Sequence, residues 1–429
     1  MNILMMTNTY KPFVGGVERS VEVFTEAYRK QGHRVIIVAP TFKNIPDNES
    51  DIIRVPAIQN FNGTDFSVQL PIPGVLSKAL RGFKPDIVHS HHPYLIGDTA
   101  IRVAARFVSP LVLTFHTFYE QYTHYVPGNS PVLRRFVIAL STGFANLCNK
   151  VFAPSESVAK ELLRRGVTAS IKIIPTGVDV EFYSTGDKRR WRQRVGVPPD
   201  GFVVGFVSRI APEKNMEFLT KAVAEFLQKS PQAHFFLIGK GPSENEVREA
   251  FQQRNLGDRV HSFGVLRGKE LVDAYHAMDV FAFASHTETQ GMVVAEAMAA
   301  GVPVVALDAN GVREVVEDGN NGRLLPEEDI AAFSSALRWI MDLSEGERAA
   351  LKENARNRAR EFSKEHCARR ALDCYTDLLD KGCVYGKAED KPLDEIRRLI
   401  TAEWDLILAK TRATGAALGR PLPPDVTNK

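Results

Sequence analysis

The sequence predicts an α/β protein built from two doubly wound domains, each a parallel sheet with helices on both faces. At 429 residues the chain is longer than one hydrophobic core usually supports. Short apolar runs alternate with amphipathic segments in both halves, and the alternation restarts after a polar, basic segment at residues 184–201. We therefore expect an N-terminal domain at residues 1–183 and a second domain at residues 202–363.

The first domain begins with the strand ILMMT, a glycine-containing loop and the amphipathic segment VERSVEVFTEAYRKQG. The strands that follow are RVIIVAP, DIVHSH, LVLTFHT, VFAPS and IKIIPTG, with helical segments such as GDTAIRVAARF and ESVAKELLRRG between them. Strands joined through helices lie parallel in one sheet, so this order predicts a doubly wound domain.

The second domain repeats this order with the strands FVVGFVSRI, AHFFLIG, RVHSFG, VFAFAS, PVVAL and GRLLP. Neither half contains G-x-G-x-x-G or G-x-x-x-x-G-K-[ST], so the usual dinucleotide and P-loop fingerprints are missing. Ligands of parallel sheets bind beyond the carboxyl ends of the strands, and we therefore expect a site in a cleft between the two domains.

Helical segments and a C-terminal extension at residues 386–429 complete the chain. The extension contains one amphipathic helix that could pack on the body, self-associate or touch a membrane. Its predicted apolar face consists of Ile396, Leu399, Ile400, Trp404, Ile407 and Leu408.

Composition narrows the classes of partner and compartment. The net charge is only +3, which gives no global reason to expect nucleic acid as a partner. The start lacks the pattern of a signal peptide, and no apolar run reaches the length of a membrane span. We expect a cytoplasmic protein with reduced thiols, since its four cysteines have neither C-x-x-C nor metal-site spacing.

The stretch FASHTETQGMVVAEAMAAGVPVVA carries the strongest chemical signal. It reads as strand, loop and helix, with Glu288 before the helix, Gly291 at its start and Glu296 about one turn inside. Amides at a helix N-terminus favour an anion such as phosphate, and Arg209 and Lys214 follow a neighbouring strand. Each cation alone reads as an ordinary surface residue, but together with the two glutamates they predict a nucleotide-sugar site.

The segments SRIAPEKN and HTETQGMVVAEAMAAGVPVV resemble the retaining glycosyltransferases of family four. This resemblance extends from Asn2 to about Leu379 and implies the GT-B fold: two Rossmann-like domains facing a central cleft, with a C-terminal helix at about residues 364–385 returning to the N-terminal domain. A UDP-sugar is the implied donor. The chain departs from the family at Thr289 and Gln290, where many members have a glycine and an aromatic residue.

The resemblance assigns roles in the second domain. Arg209 and Lys214 would hold the donor diphosphate, Glu296 the ribose hydroxyls, and Glu288 the transferred sugar. The amides of Gly291, Met292 and Val293 would complete the phosphate cradle. Retention would need no protein nucleophile, because the leaving phosphate would take the acceptor's proton on the same face of the sugar.

In the first domain the segment KPFVGGVERS resembles the family's glycine loop, so Gly15 and Gly16 would approach the donor. His116 matches the family histidine that hydrogen-bonds the donor sugar, although a lone histidine at a strand end is more often structural. His89, His91 and His92 lack a matching acid, and the chain has no D-x-D, so no catalytic metal is expected.

The run after His116 is similar to bacterial diacylglycerol glucosyltransferases and implies a lipid acceptor. The acceptor-binding residues would be Tyr119, Glu120, Tyr122, His124 and Tyr125.

The next helix would contact an anionic membrane through Arg134, Arg135 and Phe136, unless it is a core-facing helix with two solvated arginines. The implied function is a retaining transfer of a hexose, glucose being favoured, from a UDP-sugar to a lipid such as diacylglycerol. The enzyme would be peripheral on the inner face of the cell membrane. A glycosyltransferase with a soluble acceptor is one alternative, and a non-catalytic sugar-nucleotide-binding protein is another.

Overall fold

The computed structural model divides the chain into two compact units. Unit 1 consists of Met1–Pro175 and Cys367–Lys429, and unit 2 of Thr176–His366. The structure describes residues 1–13, 15–43, 45, 49–58, 68–69, 75–121, 130–385 and 392–419.

Unit 1 contains a sheet of seven parallel strands in the order β3-β2-β1-β6-β7-β8-β9, beside a short antiparallel pair, β4 and β5. The strands are β1 (Asn2–Met6), β2 (Arg34–Pro40), β3 (Ile52–Val55), β4 (Ala57–Ile58), β5 (Val68–Gln69), β6 (Ile87–Ser90), β7 (Leu111–Thr114), β8 (Lys150–Ala153) and β9 (Ile171–Ile173). Its first helices are α1 (Gly16–Lys30), α2 (Val75–Ala79), α3 (Ile96–Phe107), α4 (Pro131–Asn146) and α5 (Glu156–Arg164).

Residues on opposite faces of the unit 1 sheet enter two different hydrophobic cores. Along β1, Leu4 belongs to one core and Ile3 and Met5 to the other, because successive side chains of a strand point in opposite directions. Serine caps fix two of the helix starts: Ser130 Oγ accepts from the Leu133 amide at 3.2 Å and Ser155 Oγ from the Val158 amide at 3.3 Å.

Unit 2 contains a sheet of six parallel strands in the order β12-β11-β10-β13-β14-β15. It starts with α6 (Val180–Tyr183) and α7 (Lys188–Val195). Its strands are β10 (Phe202–Val207), β11 (Ala233–Ile238), β12 (Val260–Gly264), β13 (Val280–Phe283), β14 (Val304–Leu307) and β15 (Gly322–Leu325). The remaining helices are α8 (Met216–Lys229), α9 (Glu244–Gln252), α10 (Gly268–Ala277), α11 (Met292–Ala299), α12 (Ile330–Asp342) and α13 (Glu345–Glu361).

The polar, basic segment at residues 184–201, which the sequence placed between the two domains, is part of unit 2. Trp191 is buried in the core of that unit. Arg192 is also buried, and its Nε donates to the Ala277 carbonyl at 2.9 Å while its guanidinium pairs with Asp279. Helix α7 is thus anchored to the residues just before β13. The basic composition of α7 gave no indication of this anchoring.

The last two helices return to unit 1. Helix α14 (Lys364–Asp380) buries Tyr375 in a core that includes Tyr28 from α1. Helix α15 (Pro392–Ala417) lies along α3 and α4. Within the described ranges, no helix has the length and apolar character that crossing a bilayer requires.

Candidate active site

The strand order of unit 2 reverses between β10 and β13, and the predicted donor residues follow these two strands. Arg209 and Lys214 come after β10, while Glu288 and Gly291 come after β13. Since β10 and β13 pair in parallel, their carboxyl ends meet at one edge of the sheet. This is the topological switch point at which doubly wound sheets bind ligands.

Lys214 and Glu288 form an ion pair at this edge. Lys214 ends a 3₁₀ turn at Pro212–Lys214, and its Nζ contacts Glu288 Oε1. The two side chains are only 16% and 15% exposed. Ser285 Oγ and Thr287 Oγ1 each donate to the Glu213 carbonyl at 3.2 Å, which ties the loop after β13 to the turn that carries Lys214.

The Arg209 guanidinium lies at the rim of the same site. Its side chain is 53% exposed, and Nη1 lies 3.4 Å from Oε1 of the buried Glu213 carboxylate. A half-exposed guanidinium beside Glu213, the residue before Lys214 in the chain, is suited to meet a diphosphate that enters from solvent.

The N-terminus of α11 is open to an anion. Gly291 caps the helix with φ 69° and ψ 50°, a left-handed conformation that glycine adopts without strain. The helix begins at Met292, and its first turn contains no acidic side chain. The amides of this turn therefore present the positive end of the helix dipole.

Glu296 lies in the second turn of α11 and is almost fully buried. The hydroxyl of Tyr275, from α10, donates to Glu296 Oε2 at 3.1 Å. Burial first, and then the negative charge of Glu296, hold the pKa of Tyr275 well above its usual value, so the hydroxyl remains a donor. The sequence analysis missed Tyr275, because nothing local connects it with a glutamate on a different helix.

Gln290, at the position where the chain departs from the family pattern, has a structural role. Its Oε1 accepts from the Thr176 amide at 2.7 Å, and its Nε2 donates to the Thr176 carbonyl at 2.6 Å. The loop before α11 is thereby fastened to the first residue of unit 2.

Unit 1 places its polar side chains at the equivalent edge, after β1, β6 and β7. The Asn8 amide donates to His92 Nδ1 at 3.1 Å, which links the loop after β1 to the end of β6. Gly15 caps α1 in an extended conformation, and a Cβ there would lie 2.6 Å from Glu18 Oε2. Gly16 begins the helix with open space beside it, so this backbone is accessible to a ligand.

His116 follows β7 and hydrogen-bonds His91, with 2.8 Å between His116 Nε2 and His91 Nδ1. His89 stacks on His91 with ring centroids 4.4 Å apart, and it contacts Tyr375 Oη at 2.6 Å and Thr114 Oγ1 at 2.7 Å. Burial lowers the pKa of both His89 and His116 to about 3, so both rings are neutral near pH 7. In a neutral pair one ring nitrogen donates and the other accepts, so His91 orients His116.

The metal reading of His89, His91 and His92 finds no counterpart in the geometry. Their ring nitrogens contact His116, hydroxyl groups and a backbone amide. Over the ranges that the structure describes, no group of three or more histidine, cysteine, aspartate or glutamate side chains is arranged to hold a metal ion.

The predicted acceptor run is described only as far as Gln121, and Tyr122, His124 and Tyr125 lie outside the described residues. Glu120 has a structural partner, since Arg165 Nη2 donates to its Oε1 at 2.6 Å between two largely buried side chains. The sequence analysis missed Arg165. The buried hydroxyl of Tyr119 has no hydrogen-bond partner in the described part of the chain, so it retains a donor.

Helix α4 carries the predicted membrane residues. Arg134 and Arg135 are exposed, whereas Phe136 is partly covered. Arg135 Nη2 donates to the Ala417 carbonyl of α15 at 3.1 Å, and a Cβ on Gly143 would touch Ala409 at 3.4 Å. One side of α4 is thus covered by α15, while the two arginines remain at the surface.

The geometry defines a class: an α/β protein of two parallel-sheet units, with cationic side chains and a helix N-terminus at the switch point of its second sheet. The Anabaena protein HepE, solved in complex with UDP-glucose, has the same fold with a TM-score of 0.68 at 22% identity, over 88% of this chain and 100% of that one. A sucrose-phosphate synthase from Thermosynechococcus elongatus aligns with a TM-score of 0.71 at 23% identity, over 89% of this chain and 99% of that one. The fold is GT-B.

Two family descriptions match the chain in succession: Glycosyltransferase Family 4 at residues 14–182 and Glycosyl transferases group 1 at residues 187–358. The alpha-monoglucosyldiacylglycerol synthase of Acholeplasma laidlawii is 28% identical over 89% of this chain and 98% of its own length. The D-inositol 3-phosphate glycosyltransferase of Actinosynnema mirum is 30% identical over 89% of this chain and 92% of its own length. The GDP-mannose-dependent alpha-mannosyltransferase of Mycobacterium tuberculosis is 30% identical over 76% of this chain and 84% of its own length. The chain belongs to the family 4 glycosyltransferases and is a glycosyltransferase.

Proposed function

We propose that this glycosyltransferase moves glucose from UDP-glucose to diacylglycerol or a related membrane lipid, with retention of the anomeric configuration, at the cytoplasmic face of the membrane. Unit 2 binds the donor, and unit 1 binds the acceptor. The observation that carries the donor half is the convergence of Arg209, Lys214, Glu288 and Glu296 with the N-terminus of α11 at one edge of one sheet.

The donor assignment rests on charge and hydrogen-bonding capacity. Arg209, Lys214 and the amides of α11 supply positive charge for a diphosphate. Glu296, held by Tyr275, offers fixed acceptor atoms for a diol such as ribose. A protein of the same fold was crystallised with UDP-glucose, which supports this nucleotide sugar as the donor. Because one relative is a GDP-mannose-dependent mannosyltransferase, GDP-mannose is tested as a second donor.

The lipid acceptor rests on the monoglucosyldiacylglycerol synthase relative and on unit 1 itself. Among the described residues the buried Tyr119 hydroxyl has no hydrogen-bond partner, and it stands next to a run of polar and aromatic residues in the sequence. Arg134 and Arg135 are exposed on the helix that follows, where they suit anionic lipid headgroups. The alpha linkage in that relative's name matches the alpha configuration of UDP-glucose, which supports retention.

In the proposed reaction the bond from the anomeric carbon to the leaving phosphate oxygen breaks and a bond from that carbon to the acceptor oxygen forms on the same face. The acceptor's proton passes to the leaving phosphate. Arg209 and Lys214 stabilise the negative charge that develops on the diphosphate, and Glu288 orients the sugar. No metal is required for charge neutralisation.

The test is a matrix of donors and acceptors with products read by mass spectrometry. UDP-glucose, UDP-galactose and GDP-mannose are each offered with diacylglycerol in detergent micelles and with inositol phosphate. We expect glucosyl-diacylglycerol, an alpha anomer by NMR, and activity that survives EDTA. Transfer only to inositol phosphate would replace the lipid acceptor by a soluble one, and an inverted product would overturn the mechanism.

Arg209→Ala tests the role of the cation. We expect kcat/KM to fall about 100-fold, the usual loss when one group that stabilises developing charge is removed. Arg254→Ala is the matched control, because Arg254 is an exposed arginine of the same unit whose Nη1 donates to the Ala250 carbonyl of its own turn. Equal rates for the two variants would contradict the assignment.

A further inference from the structure

Helix α15 presents a second apolar face, directed away from unit 1. Ile396, Ile400, Trp404 and Ile407 are 57%, 64%, 59% and 52% exposed. Their spacing of three or four residues places them in one stripe along three turns of the helix. We call these four residues the outer stripe.

The face of α15 that packs on unit 1 consists of other residues. Ala402, Leu406, Ala413 and Ala417 are buried, and the helix lies along α3 and α4. An ordinary surface helix has polar residues opposite its packed face. A continuous apolar stripe that includes a tryptophan therefore indicates a surface that meets something other than water.

The acidic side chains of α15 are used within unit 1. Glu395 lies 3.5 Å from Arg106, and Glu403 pairs with Arg102. Asp405 accepts from the Tyr385 hydroxyl at 3.1 Å. These three carboxylates thus have partners within unit 1, although the side chains of Glu395 and Glu403 remain 47% and 48% exposed.

Exposed arginines flank the outer stripe. Arg397 is exposed, and helical spacing places it one turn from Ile400. At the other end of α15, Arg135 reaches the Ala417 carbonyl, which brings the exposed Arg134 and Arg135 of α4 next to the helix. A cationic rim around an apolar stripe complements an anionic bilayer surface and would repel the same rim on a second copy.

We propose that the outer stripe of α15 is a membrane-docking surface, which lies in the interface of an anionic bilayer with its isoleucines and tryptophan among the upper acyl chains and Arg397, Arg134 and Arg135 at the phosphates. This deepens the proposed function and rests on its lipid acceptor. Tryptophan suits this position, since its ring is apolar and its N–H stays hydrogen-bonded at the headgroups.

The first experiment measures binding of the full chain to vesicles. Flotation with phosphatidylglycerol-containing vesicles compares the wild type with the triple variant Ile400→Gln, Trp404→Gln, Ile407→Gln. Each half-exposed apolar side chain contributes about fivefold to partition, so we expect the triple variant to bind about 100-fold more weakly.

The matched control is Leu163→Gln with Val265→Gln, two apolar residues that are 60% and 51% exposed outside α15. This control should bind vesicles as the wild type does. Circular dichroism and the melting temperature check that every variant is folded, and UDP affinity by calorimetry checks that unit 2 is unchanged.

The second experiment uses the fluorescence of Trp404. The chain has three tryptophans, of which Trp191 is buried and Trp339 partly buried. Anionic vesicles should shift the emission to the blue, and brominated lipids should quench it. In Trp404→Phe both signals should disappear while flotation persists, because phenylalanine also enters the interface.

Three results would overturn the inference. The first is a wild type that does not bind anionic vesicles, and the second is a triple variant that binds them as the wild type does. The third is a wild type that binds no vesicles but forms a dimer by light scattering, where the triple variant is a monomer. The last would assign the stripe to a second copy of the chain. Failure of the proposed function is separate: a wild type that docks through α15 yet glycosylates no lipid would keep the docking surface and lose the acceptor.

Discussion

Replacement of Glu288 by glutamine separates donor binding from sugar transfer. Glu288 has two roles with opposite effects on the reaction. Its carboxylate pairs with Lys214, which competes with the diphosphate for that cation, and in the proposed function it orients the transferred sugar. Glutamine keeps the size of the side chain and removes its charge. Lys214 is then more strongly attracted to the diphosphate, so we expect UDP to bind more tightly and transfer to slow.

The size of both effects follows from the geometry. Exposed ion pairs contribute about 0.2–1 kcal/mol. At 16% and 15% exposure the Lys214–Glu288 pair is better shielded than these, so we take about 1 kcal/mol, which corresponds to a roughly fivefold lower Kd for UDP. Loss of a charge-assisted hydrogen bond to the sugar costs about 1.5–3 kcal/mol, so kcat/KM for UDP-glucose should fall about 10- to 100-fold.

Isothermal titration calorimetry with UDP and initial rates with UDP-glucose measure the two effects on the same preparations. Glu328→Gln is the matched control, because Glu328 is a half-exposed carboxylate of unit 2 that pairs with His286 instead of a donor residue. A Glu288→Gln variant that binds UDP as the wild type does, or more weakly, would refute the idea that this carboxylate competes for Lys214.

Two further predictions concern one group in unit 2 and a set of histidines in unit 1. Tyr275→Phe removes the donor to Glu296 and should weaken UDP binding about tenfold by calorimetry, so an unchanged affinity would contradict the positioning role. Burial lowers the pKa of His89, His92 and His116 to about 3, whereas the unfolded chain protonates near pH 6.5. Their stabilisation is therefore complete above pH 6.5 and is lost as the pH falls, by about 1 kcal/mol per histidine per pH unit, and a melting temperature that stays flat from pH 7.5 to 5 would count against it.

The sequence was sufficient for the fold class and for bringing Lys214, Glu288 and Gly291 to one edge of one sheet, because both rest on local order. A strand, a loop and a glycine at a helix start can be read from consecutive residues, and adjacent parallel strands bring their carboxyl ends together. The same reasoning could not find Tyr275, His91 as the partner of His116, or Arg165, since each acts through a contact between separate elements.

Two helices show how composition can mislead. The many charges of α7 left it outside both predicted domains, whereas Trp191 and Arg192 are buried within unit 2. For α15 the predicted apolar face included Leu399 together with Ile400 and Trp404. Leu399 packs against a core of unit 1, whereas Ile400 and Trp404 are exposed, and the buried Leu406 was not part of the prediction.

The return of α14 and α15 to unit 1 has a consequence for synthesis on the ribosome. Residues 1–175 of unit 1 are translated before unit 2. The core around Tyr28 is incomplete until Tyr375 has been translated. The core that α3 and α4 share with Ala402 and Leu406 is completed later still. Unit 2 is continuous in the chain and can close as soon as residue 366 is available. The half of the protein that is made first is thus finished last, and a nascent chain that stops before α14 leaves its apolar sheet face open to chaperones and to aggregation.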